Sequence, residues 1–384
     1  MYKIKLLNKI SQLGLSVLPS KDYTCAEDIE NPQGIIVRSA KMHDMQFGSE
    51  LLAIARAGAG VNNIPLPKCS DQGIVVFNTP GANANAVKEL TILGLILSAR
   101  NVFPAMQWAQ GLKGKGDEVP PLVEKGKSNF IGPELSGKKL GVIGLGKIGQ
   151  MVANAAFGLG MEVYGHDPLL TPQADKQLHQ NVHRIADIGQ VYSQCDFITL
   201  HLPSTEQTKG MINAQSLGKM KKGVVILNFA RGDLVQNADM IASIDSGHAG
   251  NYLTDFPDES LLGHPGVLAI PHLGASTPES EENCAIMASD QIRDYLENAN
   301  IINSVNFPAV QLPASGKPRI AVISKGADDI VSRISELSQV EIVAKSSGQR
   351  DDIGYVIMDF ASAPSADLAQ KISAIDGVLR VRQL

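Results

Sequence analysis

The chain has 384 residues, 44% hydrophobic and 19% charged, with a formal net charge of -5 at pH 7. That length exceeds what a single hydrophobic core serves, so two or three domains are expected. The acidic balance argues against nucleic acid as the main partner.

The four cysteines, Cys25, Cys69, Cys195 and Cys284, are scattered without CxxC or metal-ligand spacing. This pattern predicts reduced thiols in a cytoplasmic protein and no metal site. The opening "MYKIKLLNKI" interleaves lysines with apolar residues, unlike a signal peptide. The longest apolar stretch, Leu90 to Ala99, is too short to span a bilayer and reads as a buried helix, so no membrane partner is expected.

In chain order, "YKIKLL", "QGIIVRSA", "LLAIARAGAG" and "GIVVFNTPG" read as strands of a first, smaller α/β unit. "NAVKELTILGLILSARN" predicts a long crossover helix. From Lys138 onward, "KKLGVIG", "MEVYGHD", "DFITLHLP", "GVVILNFARG", "NYLTDF" and "GVLAIPHLG" are strand-like runs ending in Gly, Asp, Pro or a polar residue. Between the first two, "KIGQMVANAAFGLG" carries Ile148, Val152, Ala155 and Leu159 at helical spacing. Strands alternating with helices predict a parallel, doubly wound sheet, whose ligands bind beyond the carboxyl ends of the strands.

"ESEENCAIMASDQIRDYLEN" predicts a helix leading back to the first unit. The Pro-, Ser- and Gly-containing stretch around residues 311–318 reads as a linker. Beyond it, strand, helix, two strands, helix and strand follow, a βαββαβ order. The expected class is α/β: two doubly wound parallel-sheet domains, flavodoxin-like and Rossmann, plus a C-terminal ferredoxin-like domain. The boundaries read as 1–90 with 284–310 for the discontinuous first domain, 91–283 for the Rossmann domain and 319–384 for the C-terminal one.

Gly144, Gly146 and Gly149 stand in GxGxxG spacing between a predicted strand and helix. The first allows a tight turn, the second opens room for a pyrophosphate, and the third lets helix and strand pack closely. Asp167, at the end of the next strand, can accept bonds from an adenosine ribose and repels a 2′-phosphate, which points to NAD. Arg231 follows the apolar run of 224–227 at a strand end, where a fixed guanidinium can hold a carboxylate and polarise a ketone oxygen. Alcohol oxidation also needs a proton acceptor. Among eight histidines, His272 and His201 both follow buried-type strands, and position alone does not choose between them. Glu259 in "DFPDES" is placed to orient an imidazole, and equally reads as part of a solvated turn.

Together these stretches resemble the D-isomer-specific 2-hydroxyacid dehydrogenase family. "RAGAGVNNI", "VFNTPGANANAVKEL", "GKKLGVIGLGKIGQMVA", "LHLPSTEQTKGMI", "NFARGD", "FPDE" and "PHLGAST" carry the likeness as far as about residue 310. The resemblance puts Arg231, Glu259 and His272 in the family's catalytic positions and favours His272 over His201. It implies cofactor contacts at Gly144, Gly146, Lys147, Ile148, Gly149, Asp167, Pro203, Thr208, Phe229, Ala230, Asp255, Gly274 and Ala275. The family's nicotinamide-contacting Asp position holds Thr254, with Asp255 one place later. A further departure is Ser260 after Glu259, where Pro is common.

Within the family, "IIVRSAKM" resembles members acting on D-3-phosphoglycerate at the start of serine biosynthesis. Arg38 and Ser39 then meet the substrate phosphate with Lys41 nearby, backbone N–H groups at Ala59 and Gly60 take the carboxylate, and Asn83 reaches the substrate. The C-terminal unit resembles an ACT regulatory domain, although "SKGADDI" lacks the Asn and Pro-Gly pattern associated with serine binding. A homodimer through the cofactor domain, or a higher homo-oligomer, is implied. The rival readings are a dehydrogenase for an unphosphorylated acid such as hydroxypyruvate or glyoxylate, a non-catalytic NAD-sensing or corepressor protein, and an amino-acid-binding scaffold.

Overall fold

The computed structural model describes residues 1–327 and 329–384; Asp328, in the "SKGADDI" turn, lies outside the described residues. The chain forms two compact units, residues 1–83 with 278–384, and residues 84–277. The division falls a few residues before each end of the inserted domain expected from sequence, and the C-terminal residues share the first unit.

The first unit opens with five parallel strands: β1 (Tyr2–Leu7), β2 (Tyr23–Ala26), β3 (Gly34–Val37), β4 (Ala53–Arg56) and β5 (Val75–Phe77). Their order, β2-β1-β3-β4-β5, is the flavodoxin-like one. β3 and β5 are buried along their whole length, as parallel strands covered on both faces must be. The carboxyl ends of β3 and β4 carry Arg38 and the turn at 57–60 respectively.

The second unit begins with helix α1 (Ala84–Arg100). Seven parallel strands follow: β6 (Lys139–Ile143), β7 (Glu162–His166), β8 (His183–Arg184), β9 (Phe197–Leu200), β10 (Val224–Asn228), β11 (Ala249–Thr254) and β12 (Val267–Ala269). The order β12-β11-β10-β9-β6-β7-β8 is doubly wound, with its switch point between β6 and β9. Helix α2 (Lys147–Gly158) follows β6 directly. β9 and β10 are buried at every residue, and cores lie on both sheet faces.

Helix α3 (Pro278–Asn298) returns to the first unit and packs Ala285, Ala288, Ile292 and Tyr295 into its core. The final antiparallel sheet comprises β13 (Arg319–Lys325), β14 (Ile342–Arg350), β15 (Ile353–Phe360) and β16 (Val378–Gln383), in the order β14-β15-β13-β16. Helices α4 (Ile330–Leu337) and α5 (Leu368–Ser373) complete the expected ferredoxin-like βαββαβ unit.

One face of this sheet is covered by its own helices through Ile320, Val322, Val356, Met358 and Phe360. Ala321, Ile323, Ile353, Tyr355 and Ile357, on the opposite face, join the core built by α3 and the first sheet. Tyr355 donates its hydroxyl to the Ala299 carbonyl at 2.6 Å, and Arg382 donates to the Tyr295 and Leu296 carbonyls at 2.8 and 2.7 Å. Arg380 donates to the carbonyls of Leu51 and Gln72 at 2.8 and 3.1 Å. The stretch read as a linker has neither helix nor strand, yet Arg319 fixes it through the carbonyls of Leu312 and Pro313.

Candidate active site

Two sets of residues carry chemistry, one in each unit. In the second unit, Gly144 directly follows β6 with a φ of 91°, and its N–H is taken by the His166 carbonyl at 2.9 Å. A Cβ at Gly144 would lie 2.5 Å from the His201 carbonyl oxygen, and one at Gly149 would lie 1.9 Å from the Gly144 carbonyl oxygen. The space around Gly146, the N-cap of α2, is open. Tight contact at the first and third glycines with an open second one is what a pyrophosphate-binding turn at a helix N-terminus requires. Lys147, Ile148 and Gly149 form the first turn of α2.

Asp167 lies just beyond β7 and accepts from the backbone N–H groups of Leu145 and Leu169, both at 2.8 Å. The carboxylate therefore stands against the glycine turn, fixed by main-chain donors. At the end of β9, His201 places its ring 3.0 Å from the Thr199 hydroxyl, and burial pushes its imidazole down to about 3. A ring held neutral and bonded to a strand hydroxyl serves the fold. Pro203 and Thr208 share a turn, the Thr208 hydroxyl donating to the Pro203 carbonyl at 2.6 Å.

At the end of β10, Asn228 is a buried polar side chain, and its amide donates to the Arg231 carbonyl at 2.9 Å while its oxygen accepts from the Ala230 N–H at 3.2 Å. Asn228 thus shapes the turn over Phe229 and Ala230 that presents Arg231. The sequence signal for it was a lone amide ending an apolar run. The Arg231 guanidinium reaches solvent and donates to the Ala230 carbonyl at 2.6 Å.

Gly232, the next residue, lies so close to Phe256 that a Cβ would meet the Phe256 Cβ at 3.1 Å. The Phe256 ring also contacts the His272 ring, centroids 4.5 Å apart and planes at 49°. Phe256, which sequence reasoning did not single out, therefore adjoins both the Arg231 turn and His272.

Asp255 is 1% exposed, and its Oδ2 accepts from the Gly274 N–H at 3.2 Å. Burial pushes its carboxyl up, while the His272 and Arg231 charges and the Gly274 N–H pull it back. Thr254 spends its hydroxyl on the Phe256 N–H at 3.1 Å. The acidic turn after Phe256 is built by Asp258, which accepts from Ser260 and from Asn237; these bonds hold its carboxyl below the usual range. Glu259 is exposed on that turn and, among the described residues, makes no side-chain hydrogen bond or ion pair. The structure thus brings Arg231, Asp255, Phe256 and His272 together and leaves Glu259 on the rim. Ala275 follows Gly274 in the loop that leads to Thr277.

In the first unit, the N–H groups of Ser39 and Ala40 donate to Asn8 Oδ1 at 2.9 and 2.8 Å, setting the turn beyond β3. Arg38 pairs with Glu281 in the first turn of α3, Nη2 to Oε1 at 2.6 Å. Arg56, at the end of β4, donates from Nε to the Arg38 carbonyl at 3.0 Å, joining the two strand ends. The Ala59 carbonyl accepts from Asn78 at 2.7 Å, which orients the turn containing Gly60. Asn83 has a buried Oδ1 without a hydrogen-bond partner among the described residues, and Lys41 is exposed. Neither Arg56 nor Glu281 stood out in the sequence. No cluster of metal-ligating side chains occurs among the described residues, and none of their helices is long and apolar enough to cross a membrane.

Comparison with known proteins adds likeness in sequence and in fold. Residues 93–274 match the family model for the NAD binding domain of D-isomer specific 2-hydroxyacid dehydrogenases. D-3-phosphoglycerate dehydrogenase of Bacillus subtilis is 32% identical over 328 residues, 81% of this chain and 60% of that protein. The enzyme of the same name from Methanocaldococcus jannaschii is 30% identical over 352 residues, 88% of this chain and 64% of that one. Among solved structures, the NAD+-bound 3-phosphoglycerate dehydrogenase of Entamoeba histolytica aligns with a TM-score of 0.63 at 27% identity, over 79% of this chain and 98% of that one. The chain spans about 60% of the length of the curated relatives it matches.

Proposed function

Because the chain belongs to the D-isomer-specific 2-hydroxyacid dehydrogenase family, we propose that it catalyses NAD-dependent oxidation of D-3-phosphoglycerate at C2. The observation that carries this reading is the convergence of Arg231 and His272 around Phe256 beyond β10 to β12, in the same unit as the glycine turn. The residues present fit a dinucleotide: Gly144 and Gly149 admit no side chain, Gly146 faces open space, and Asp167 is fixed beside the turn. Gly146, Lys147, Ile148 and Gly149 hold its pyrophosphate, and Asp167 its adenosine ribose. When bound, the cofactor supplies the hydride acceptor.

His272 takes the proton of the C2 hydroxyl on an imidazole nitrogen, with Glu259 swinging in from the rim to orient the ring. Arg231 releases its backbone contact, holds the substrate carboxylate and stabilises the carbonyl oxygen as it forms. Arg38 and Ser39 take the phosphate, the N–H groups at Ala59 and Gly60 the carboxylate, and Asn83 completes the contacts. The C-terminal unit serves as an ACT-type regulatory domain, and the protein acts as a homo-oligomer in the cytoplasm.

A second reading has its own support. Arg38 already has a carboxylate partner in Glu281, so a substrate without a phosphate, such as a simple 2-hydroxy acid, needs no exchange there. Steady-state NADH formation from D-3-phosphoglycerate and from D-glycerate, each with NAD+ and NADP+, separates the two. The expected result is a kcat/KM at least about tenfold higher for the phosphorylated acid, and a preference for NAD+. Equal kcat/KM values for the two acids would select the second reading, and no turnover of either would remove both.

A further inference from the structure

We propose that Asp255 is the positioning residue of the catalytic histidine: its buried carboxylate anchors the loop carrying His272 to the end of β11. The inference rests on His272 being the base.

β11 and β12 are paired only as far as Thr254 and Ala269. The last rung beyond them is the Ile270 N–H donating to the Thr254 carbonyl at 3.0 Å. From there the two chains diverge, one into Asp255 and Phe256, the other into Pro271 and His272. Past the ladder, the His272 backbone is held among the described residues only by a long bond, its carbonyl accepting from the Ser276 hydroxyl at 3.5 Å within the same loop, which does not tie it to the sheet.

Asp255 supplies the missing rung. Its Oδ2 accepts from the Gly274 N–H at 3.2 Å. His272 thereby lies between two tied points, Ile270 and Gly274, each two residues away, with the Phe256 ring against its face. The fit at the anchor is close: a Cβ on Gly274 would stand 3.3 Å from Asp255 Oδ2 and 3.4 Å from Val87. A side chain at that position would crowd the carboxylate and come into ordinary contact with Val87.

A structural role alone accounts poorly for this choice. A buried carboxylate is costly unless fully bonded, and here Oδ1 has no hydrogen-bond partner among the described residues. A valine would close the end of β11 at lower cost. The groups whose charge reaches Asp255 are Arg231, from the turn after β10, and His272 itself. The carboxylate thus lies within range of the charge of both side chains assigned to the reaction, and it ties the loop of one of them through the Gly274 N–H.

The test compares wild type, Asp255→Ala and Asp255→Asn in the full-length protein, with two readouts. Amide hydrogen exchange at Gly274 in the free protein reports the anchor. Steady-state kinetics with D-3-phosphoglycerate and NAD+ report its consequence. For Asp255→Ala the expectation is exchange at Gly274 faster by at least about tenfold, and kcat lower by at least about tenfold with little change in the KM for the acid. Asp255→Asn keeps an oxygen for the Gly274 N–H, so it restores the protection and recovers most of the lost kcat.

Unchanged Gly274 exchange in Asp255→Ala overturns the proposal, as does an unchanged kcat. So does an Asp255→Asn variant as impaired as the alanine in both readouts. If Asp255→Ala fails to fold, Asp255→Asn decides: retained Gly274 protection with near-wild-type kcat supports the anchor, and loss of either refutes it. Wild type inactive on every 2-hydroxy acid would remove the assignment of His272 as base, while the exchange measurement would still report whether the anchor exists.

Discussion

Replacing Arg319 with Met removes one of the ties between the C-terminal sheet and the rest of the first unit. All five guanidinium N–H groups of Arg319 are spent. Nε and Nη2 donate to the two oxygens of Asp359 at 2.6 and 3.0 Å, Nη1 to the Asn298 and Leu312 carbonyls at 2.8 and 3.0 Å, and Nη2 to the Pro313 carbonyl at 2.8 Å. Both members of the ion pair are buried, Arg319 to 5% exposure and Asp359 to 1%. Methionine keeps most of the apolar volume but donates nothing. Asp359 is then left in the core with the Ser315 hydroxyl as its remaining side-chain donor. Removing one member of a buried pair costs about 3–5 kcal/mol. The Leu312 and Pro313 carbonyls can turn to water, so the upper end of that range is the ceiling. For a unit of this size each kcal/mol lowers Tm by about 2–4 °C, so the melting transition should fall by on the order of 10 °C. Differential scanning calorimetry at neutral pH measures it. The double variant Arg319→Met with Asp359→Leu should recover part of the loss, because no charge is left stranded. A fall of less than about 2 °C, or a double variant worse than either single one, would refute the reasoning.

Further outcomes follow from other sites. Burial pushes the Asp359 carboxyl up, but the bonds from Arg319 and Ser315 outweigh it and hold the group below the usual range. The stability it contributes is therefore complete above the ordinary carboxylate pKa and is lost as pH falls through the depressed value. Urea midpoints measured from neutral to acid pH should fall less steeply in Asp359→Asn than in wild type. Gly149→Ala should weaken NAD+ binding by at least about tenfold by calorimetry, since its Cβ would meet the Gly144 carbonyl oxygen at 1.9 Å. Gly158→Ala in the same helix meets nothing within 4 Å and should leave binding unchanged while raising stability by up to about 1 kcal/mol. Glu281→Gln frees Arg38 and should lower the KM for the phosphorylated acid several-fold, about the effect of one exposed ion pair. Arg38→Gln should raise that KM with little change in kcat.

Much of the fold was legible because its strands are local signals. The runs in β9 and β10 are buried at every position, as parallel strands covered by helices must be, and the helical spacing of Ile148 and Val152 found α2. The strand, helix, strand, strand, helix, strand order of the C-terminal unit was readable for the same reason. What escaped was short or non-local. β2 is four residues containing Thr and Cys, and β8 is only two exposed residues at a sheet edge. The helix Val119–Gly126, for which the sequence reading offered no element, carries two prolines directly after Val119, where a first helical turn accommodates them.

The site divided along similar lines. The glycine turn and Asp167 follow one another along the chain and carry a local spacing, so they were readable. Arg231 was readable from its place after an apolar run at a strand end, whereas His272 needed the family resemblance to be chosen over His201. Asn228, Phe256, the bond from Gly274 to Asp255 and the Arg38–Glu281 pair depend on contacts between distant segments, which periodicity does not encode. For the same reason the packing of β13, β15 and β16 on α3, made by Arg319, Tyr355 and Arg382, was invisible in a stretch that reads as a linker followed by a separate domain.

The most direct test is a crystal structure of the protein with NAD+ and D-3-phosphoglycerate bound. The dinucleotide pyrophosphate should rest on the 144–149 turn, and the C2 hydroxyl should lie within hydrogen-bond reach of the His272 ring, about 3 Å. Its carboxylate should be held by Arg231. A dinucleotide seated elsewhere, or a substrate hydroxyl far from His272, would contradict the assignment.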